Sequence, residues 1–146
     1  MATDSLDPEG KYKKSYLKEY KHWILSVSSH QHTLGCYIII AKRNIEKVSE
    51  ANGKELEELV KVMSDIEKAL LTAKEFKPDR FNYLQLGNGW HHLHFHGIPR
   101  YETPRFFDGK EWIDKEWGKP PIWNYEKIPD EFIKKLKDAI LKYLPK

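Results

Sequence analysis

Four of the seven histidines in this chain fall in one short stretch, Asn88 to Tyr101, which reads N-G-W-H-H-L-H-F-H-G-I-P-R-Y. His92, His94 and His96 alternate there with Leu93 and Phe95. Successive side chains of a β-strand point to opposite faces, so three imidazoles share one face while Leu93 and Phe95 enter a core on the other. A neutral imidazole carries a lone pair near pH 7 and serves as base, nucleophile or metal ligand. Three readings follow for such a row. It is a polar or pH-sensitive surface strand, or a metal site, since H-x-H is a common ligand pair suited to zinc, copper, iron and nickel. Or it is a nucleophilic histidine between two helpers, acting on a phosphorus centre.

The third reading gives each residue a task. His94 has a same-face neighbour on either side and is the natural nucleophile, with His92 and His96 beside it. Attack at a phosphorus centre also needs donors for the phosphate oxygens. The turn Gly87-Asn88-Gly89 has the backbone freedom to present N–H groups to an anion. Asn82 and Asn88 add side-chain amides. This scheme requires no metal and no other cofactor.

Several elements must position the row. Phe81–Gly87 alternates and reads as a strand, with Phe81 and Tyr83 on one face and Asn82, Leu84 and Leu86 on the other. Trp23–Ser28 reads as a strand, Ser28–Gly35 as a turn and Cys36–Ala41 as a buried central strand, giving an antiparallel hairpin. His30 and His32 lie in that turn, and Lys42, Arg43 and Asn44 close the second strand. Gly97 and Pro99 suit the end of the histidine strand. Gly53–Phe76 is the longest predicted helix, its apolar stripe formed by Leu56, Leu59, Val60, Met63, Ile66 and Leu70, with Glu55, Glu57, Glu58 and Lys61 on the outer face. Pro78 and Asp79 end it.

Residues 1–11 are polar and read as a loose arm. Residues 12–21 fit a short helix with Tyr12, Tyr16, Leu17 and Tyr20 on one stripe. After Arg100 the chain is irregular, aromatic and proline-rich, through Phe106, Phe107, Trp112, Trp117, Trp123 and Tyr125; these aromatics strap the segment to the sheet, or roof a pocket and stack on a base. Asp130 reads as the N-cap of a final amphipathic helix carrying Phe132, Ile133, Leu136, Ile140, Tyr143 and Leu144.

Composition removes other classes. With 146 residues, 40% hydrophobic and 32% charged, the chain fits one folded domain, 1–146, with a core over about 20–101 and a tail over 102–146. A net charge of +3 does not mark a nucleic-acid binder and does not repel an anionic nucleotide. The single Cys36 excludes an internal disulfide and any multi-cysteine zinc site. No apolar run reaches the roughly 20 residues that span a bilayer, and the N-terminus lacks a signal-peptide core. The expectation is a cytoplasmic protein.

H-L-H-F-H-G-I at 92–98, followed by P-R-Y, resembles the signature of the histidine-triad (HIT) superfamily of nucleotide hydrolases and transferases. Asn82, Leu86, Gly87 and Asn88 resemble the strand and phosphate loop before the triad, and I-I-I-A-K-R-N-I at 38–45 the family's hydrophobic strand. The likeness covers about residues 20–101. It implies an α+β fold: an antiparallel sheet of about five strands, a long helix on one face and a C-terminal helix. It implies a nucleotidyl–histidine intermediate on His94, with His92 and His96 orienting and Asn82, Asn88, Gly89 and Asn44 near phosphate. It also implies nucleoside phosphoramidates or dinucleoside polyphosphates as substrates, adenine as the base, and a homodimer. Departures are Gly97 in place of a larger apolar residue, Asn44 where the family carries histidine, and Asn88-Gly89 where it carries Gln followed by a small or hydroxyl residue, so that a hydroxyl that often touches phosphate is missing. Ser28 falls near the place of the family's ribose-gripping acid. The rival reading is a non-catalytic nucleotide- or metal-binding module built on His91, His92, His94 and His96.

Overall fold

The computed structural model describes residues 13–146. A five-stranded antiparallel sheet is built from β1 (Tyr16–Glu19), β2 (Trp23–Val27), β3 (Tyr37–Ala41), β4 (Arg80–Leu84) and β5 (His94–Arg100), in the order β1-β2-β3-β5-β4. Helix α1 (Gly53–Thr72) joins β3 to β4. A small hairpin, β6 (Arg105–Phe107) and β7 (Lys110–Trp112), follows β5, and helix α2 (Asp130–Leu141) closes the fold. This is the α+β architecture expected from the sequence. Among the described residues no helix is long and apolar enough to cross a membrane.

The sheet has one face for packing and one for chemistry. Trp23, Leu25, Val27, Tyr37, Ile39 and Ala41 point into the core with Leu59, Val62, Ile66 and Leu70 of α1 and Ile133, Leu136 and Ile140 of α2. Opposed residues of an antiparallel pair share a face. His94 lies opposite Ile40, and His96 lies between Ile38 and Leu84, so the histidines project from the reverse face.

Several local expectations are corrected. Residues 16–19 form a strand rather than part of a helix, because β2 offers a backbone ladder; a bulge between Tyr16 and Lys18 hides the two-residue period. Helix α1 ends at Thr72, not Phe76. Its stripe is also rotated from the expected one: Leu56 and Val60 are exposed, the latter by 66%, whereas Val62 and Ala69 are fully buried. Glu55 is buried rather than outward, because it closes the capping box with Asn52 and takes the Arg43 guanidinium. In α2 the cap position is Pro129, and Asp130 is the first helical residue, paired with Lys14. The hairpin β6–β7 lies in the stretch read as irregular; its turn, Asp108-Gly109, has φ of 52° and 73°, the left-handed pair that an Asp-Gly hairpin turn uses.

Strand β5 runs on through Gly97 and Pro99 instead of stopping there. Pairing with β3 ends at Gly97, so on that side Pro99 has no ladder bond to lose, and its carbonyl accepts from the Thr33 hydroxyl at 2.5 Å. Gly97 itself answers to Tyr37 across the ladder. A Cβ at 97 would be driven into the Tyr37 ring, which is buried and hydrogen-bonded through its hydroxyl to Tyr83 at 2.6 Å. A buried tyrosine on β3 therefore dictates the glycine that departs from the triad pattern.

Candidate active site

His92 precedes β5, in a bend where the ladder changes partners. Leu93 accepts from Ala41 N–H through its carbonyl and donates its own N–H to Ile45 O, past the end of β3. This cross-link inserts Leu93 fully into the core and leaves His92 and His94 on the opposite face. Phe95 packs against the core as expected from the alternation.

Hydrogen bonds to carbonyls fix the tautomers. His94 Nδ1 lies 2.5 Å from the His92 carbonyl oxygen. A carbonyl only accepts, so Nδ1 carries the proton and Nε2 keeps the lone pair. His92 Nε2 likewise donates to Ala41 O at 2.5 Å. Burial, offset in part by the His92 carbonyl, lowers the His94 pKa, and its 7% exposure leaves little water to hydrate a cation. Burial, with the neighbouring His94 and His30, pushes His96 down to about 4. His94 and His96 are therefore neutral at neutral pH.

Two indoles bracket the row. Trp90 lies over His92 and His94, with ring centroids 5.1 and 4.8 Å apart. At the other end Trp123 meets His96 edge-on at 5.2 Å and stacks on His32 at 3.8 Å. Asn124 N–H donates to His32 Nδ1, and burial holds the His32 pKa down to about 4. The first hairpin turn thus reaches the triad face through Trp123.

Arg100 anchors the segment that carries Trp123. All five guanidinium N–H groups are used: two toward Asp114, one each toward Asn82 Oδ1, Lys119 O and Glu116 O. The Arg100 and Asp114 side chains are each 3% exposed. Beside this clamp a groove of about 680 Å³ opens between β4 and residues 117–121, lined by Asn82 and Leu84 from the triad face.

The remaining sequence candidates are dispersed. Asn82 sits on the triad face with its carbonyl oxygen committed to Arg100. Asn88 and Gly89 lie exposed in the loop before the triad, where Asn88 O accepts from His91 Nε2. Asn44 is exposed in the bend after β3 and makes no hydrogen bond to the triad. Lys42 pairs with Glu19 and Arg43 with Glu55, so both cations have structural partners. The Ser28 hydroxyl oxygen accepts from His30 N–H. Among the described residues, no group of three or more His, Cys, Asp or Glu side chains is arranged to hold a metal ion. Sequence reasoning gave Trp90 no role; its signal was a tryptophan in a glycine-rich loop, where packing does not require one.

Comparison with known families decides the relationship. The HIT domain profile matches residues 11–103. The chain belongs to the HIT-domain family. Solved HIT structures share its fold at low sequence identity. A histidine triad protein from Sinorhizobium meliloti superimposes with a TM-score of 0.68 at 19% identity, covering 93% of this chain and 95% of that one. A hypothetical histidine triad nucleotide-binding protein from Sulfolobus tokodaii gives 0.65 at 24%, covering 88% of this chain and 82% of that one. The diadenosine triphosphate hydrolase of Plasmodium falciparum gives 0.60 at 14%, covering 90% and 76%. No curated protein matches the chain by sequence.

Proposed function

We propose that this HIT-family protein is a nucleotide hydrolase or nucleotidyl transferase that works through a covalent intermediate on His94. One observation carries the reading: His94 Nδ1 is tied to a backbone carbonyl, so Nε2 presents a neutral lone pair from a nearly dry site. Such an imidazole attacks phosphorus without a separate base. As the Nε2–P bond forms, the bond from the α-phosphorus to the leaving group breaks, and the leaving group departs with the bonding pair and takes a proton from solvent. Water, or another acceptor, then attacks phosphorus, loses its proton to solvent and breaks the Nε2–P bond, which returns the neutral imidazole. His92 orients His94 through its carbonyl, and His96 meets phosphate oxygens. Asn82 through its amide N–H groups, Asn88, the Gly89 N–H and Asn44 supply donors around the phosphates. No step uses a metal.

The substrates in this reading are nucleoside phosphoramidates or dinucleoside polyphosphates, with adenine as the base. The solved diadenosine triphosphate hydrolase of the same fold supports the second class. A substrate panel scoring both classes, run with and without a chelator, tests the assignment; no turnover of either, or activity lost to the chelator, would return the histidine row to the rival binding-module reading.

The chain works as one unit in the cytoplasm and as a homodimer. The dimer is supported by Leu56 and Val60 of α1, exposed at 39% and 66%, and by β4, which forms an open edge of the sheet. Exposed apolar side chains and a sheet edge that is unpaired among the described residues are each the kind of surface that a second copy covers.

A further inference from the structure

The triad is covered as well as aligned. His92 and His94 are only 5% and 7% exposed, and the side chain lying across both rings is Trp90. An in-line attack needs phosphorus within about 3–3.5 Å of His94 Nε2, so a phosphate cannot reach the nucleophile with this cover closed. The loop holding the cover is built to yield. Between Leu84, the last residue of β4, and Leu93 no backbone N–H of residues 85–92 makes a ladder or turn bond to another described residue; the local tie is His91 Nε2 to Asn88 O. Gly87 has φ of +69°, and a Cβ at Gly89 would touch nothing within 4 Å. Trp90 itself is already 45% exposed on its outer side.

An indole lifted from two imidazoles loses its stacking and gains hydrated surface on both faces. It closes again on the triad unless the arriving molecule offers a flat ring. We propose that Trp90 is a substrate-stacking residue: it exchanges its contact with His92 and His94 for an aromatic ring attached to the phosphate under attack, and so selects ring-bearing phosphates over bare sugar phosphates. Stacking on a tryptophan tolerates any base, since every base has a π-face. Trp123 does not share this freedom, because His32, His96 and the Arg100 clamp fix it. The inference rests on the nucleotide reading above. The ring has two possible origins, the nucleoside retained on the phosphorus or the group that leaves.

The test uses the full chain and the variants Trp90→Ala, Trp90→Leu and Trp90→Phe. Trp90 is in an exposed loop, and unchanged melting temperatures verify folding. Two substrates separate the origins: adenosine 5′-phosphoramidate, whose ring lies on the nucleoside alone, and diadenosine triphosphate, with a ring on both sides. The expected result is a KM raised about tenfold or more in Trp90→Ala and Trp90→Leu, with kcat changed less than threefold and Trp90→Phe restored toward wild type. A rise with both substrates assigns the nucleoside, and a rise with the dinucleotide alone assigns the leaving group. A KM unchanged or lowered for both, as removal of a mere cover would give, overturns the inference. Calorimetry with AMP and ribose 5-phosphate keeps it separable from the functional reading. If the wild type turns over neither substrate, that reading fails; the stacking role then stands only if Trp90→Ala weakens AMP about tenfold while leaving ribose 5-phosphate unchanged, and equal losses for both overturn it.

Discussion

Replacing Arg100 with lysine should destabilise the protein far more than a charge-conserving exchange suggests. The guanidinium meets five part-buried acceptors: two oxygens of Asp114, Asn82 Oδ1, Lys119 O and Glu116 O. An ammonium has three donors and no planar fork. At least two acceptors then lose their partner; Asp114 Oδ2 keeps the Tyr101 N–H, so at least one acceptor is left unpaired, at about 1–3 kcal/mol. Set against a domain stability of about 5–15 kcal/mol, this is a large fraction. Arg100→Met goes further, because it leaves the Asp114 carboxylate, 3% exposed, without its counter-charge; breaking a buried pair in this way costs about 3–5 kcal/mol. Urea unfolding of wild type and both variants measures these differences. Trypsin cleavage after Lys115 should also accelerate, since the clamp is what holds that segment to the sheet. An Arg100→Lys variant within about 0.5 kcal/mol of wild type, the range of ordinary surface substitutions, would refute the reasoning.

Three further outcomes follow. Gly97→Ala should cost at least about 1–3 kcal/mol through overpacking, and Tyr37→Leu should relieve part of that cost in a double-mutant cycle by urea unfolding; additive losses would show that the ring is not the obstacle. Because His96 and His32 titrate near 4 in the folded chain and near 6.5 unfolded, the unfolded chain binds more protons between those values. Stability should therefore fall as pH falls from 6.5 toward 4, and, with the His94 pKa lowered by burial, the acid limb of kcat/KM should lie below pH 6.5; a limb at or above 6.5 would contradict neutral, buried imidazoles. Wild type should give a dimer by light scattering at micromolar concentration and Val60→Glu a monomer; a monomeric wild type would overturn the dimer proposal.

Much of this was legible in the sequence because short periods carried it. The alternation at 92–96 put Leu93 in the core and the imidazoles opposite, and the apolar run 36–41 gave the central strand. What escaped was set by contacts between distant segments. Residues 16–19 carry apolar groups at helical spacing, yet a bulge and the β2 edge make them a strand. The α1 stripe shifted because Glu55 and Asp65 are buried by partners on other elements, Arg43 for one and the Tyr20 hydroxyl for the other. Gly97 read as a departure until Tyr37 was seen beneath it. Trp90 and Trp123 could not be placed at the triad from their sequence positions, since one sits in a loop without periodicity and the other is held at His96 by distant partners, His32 and the Arg100 clamp.

The central claim is the covalent step on His94, and trapping it is the most direct measurement. Wild type mixed with adenosine 5′-phosphoramidate or diadenosine triphosphate and quenched without acid should carry a mass increment of one adenylyl group, mapped by peptide sequencing to His94. His94→Ala should lack the adduct, lose nearly all turnover and still bind nucleotide, while His92→Ala and His96→Ala fall less. An adduct on another residue, or His94→Ala active within about tenfold of wild type, a barrier change of only about 1.4 kcal/mol, would contradict the assignment.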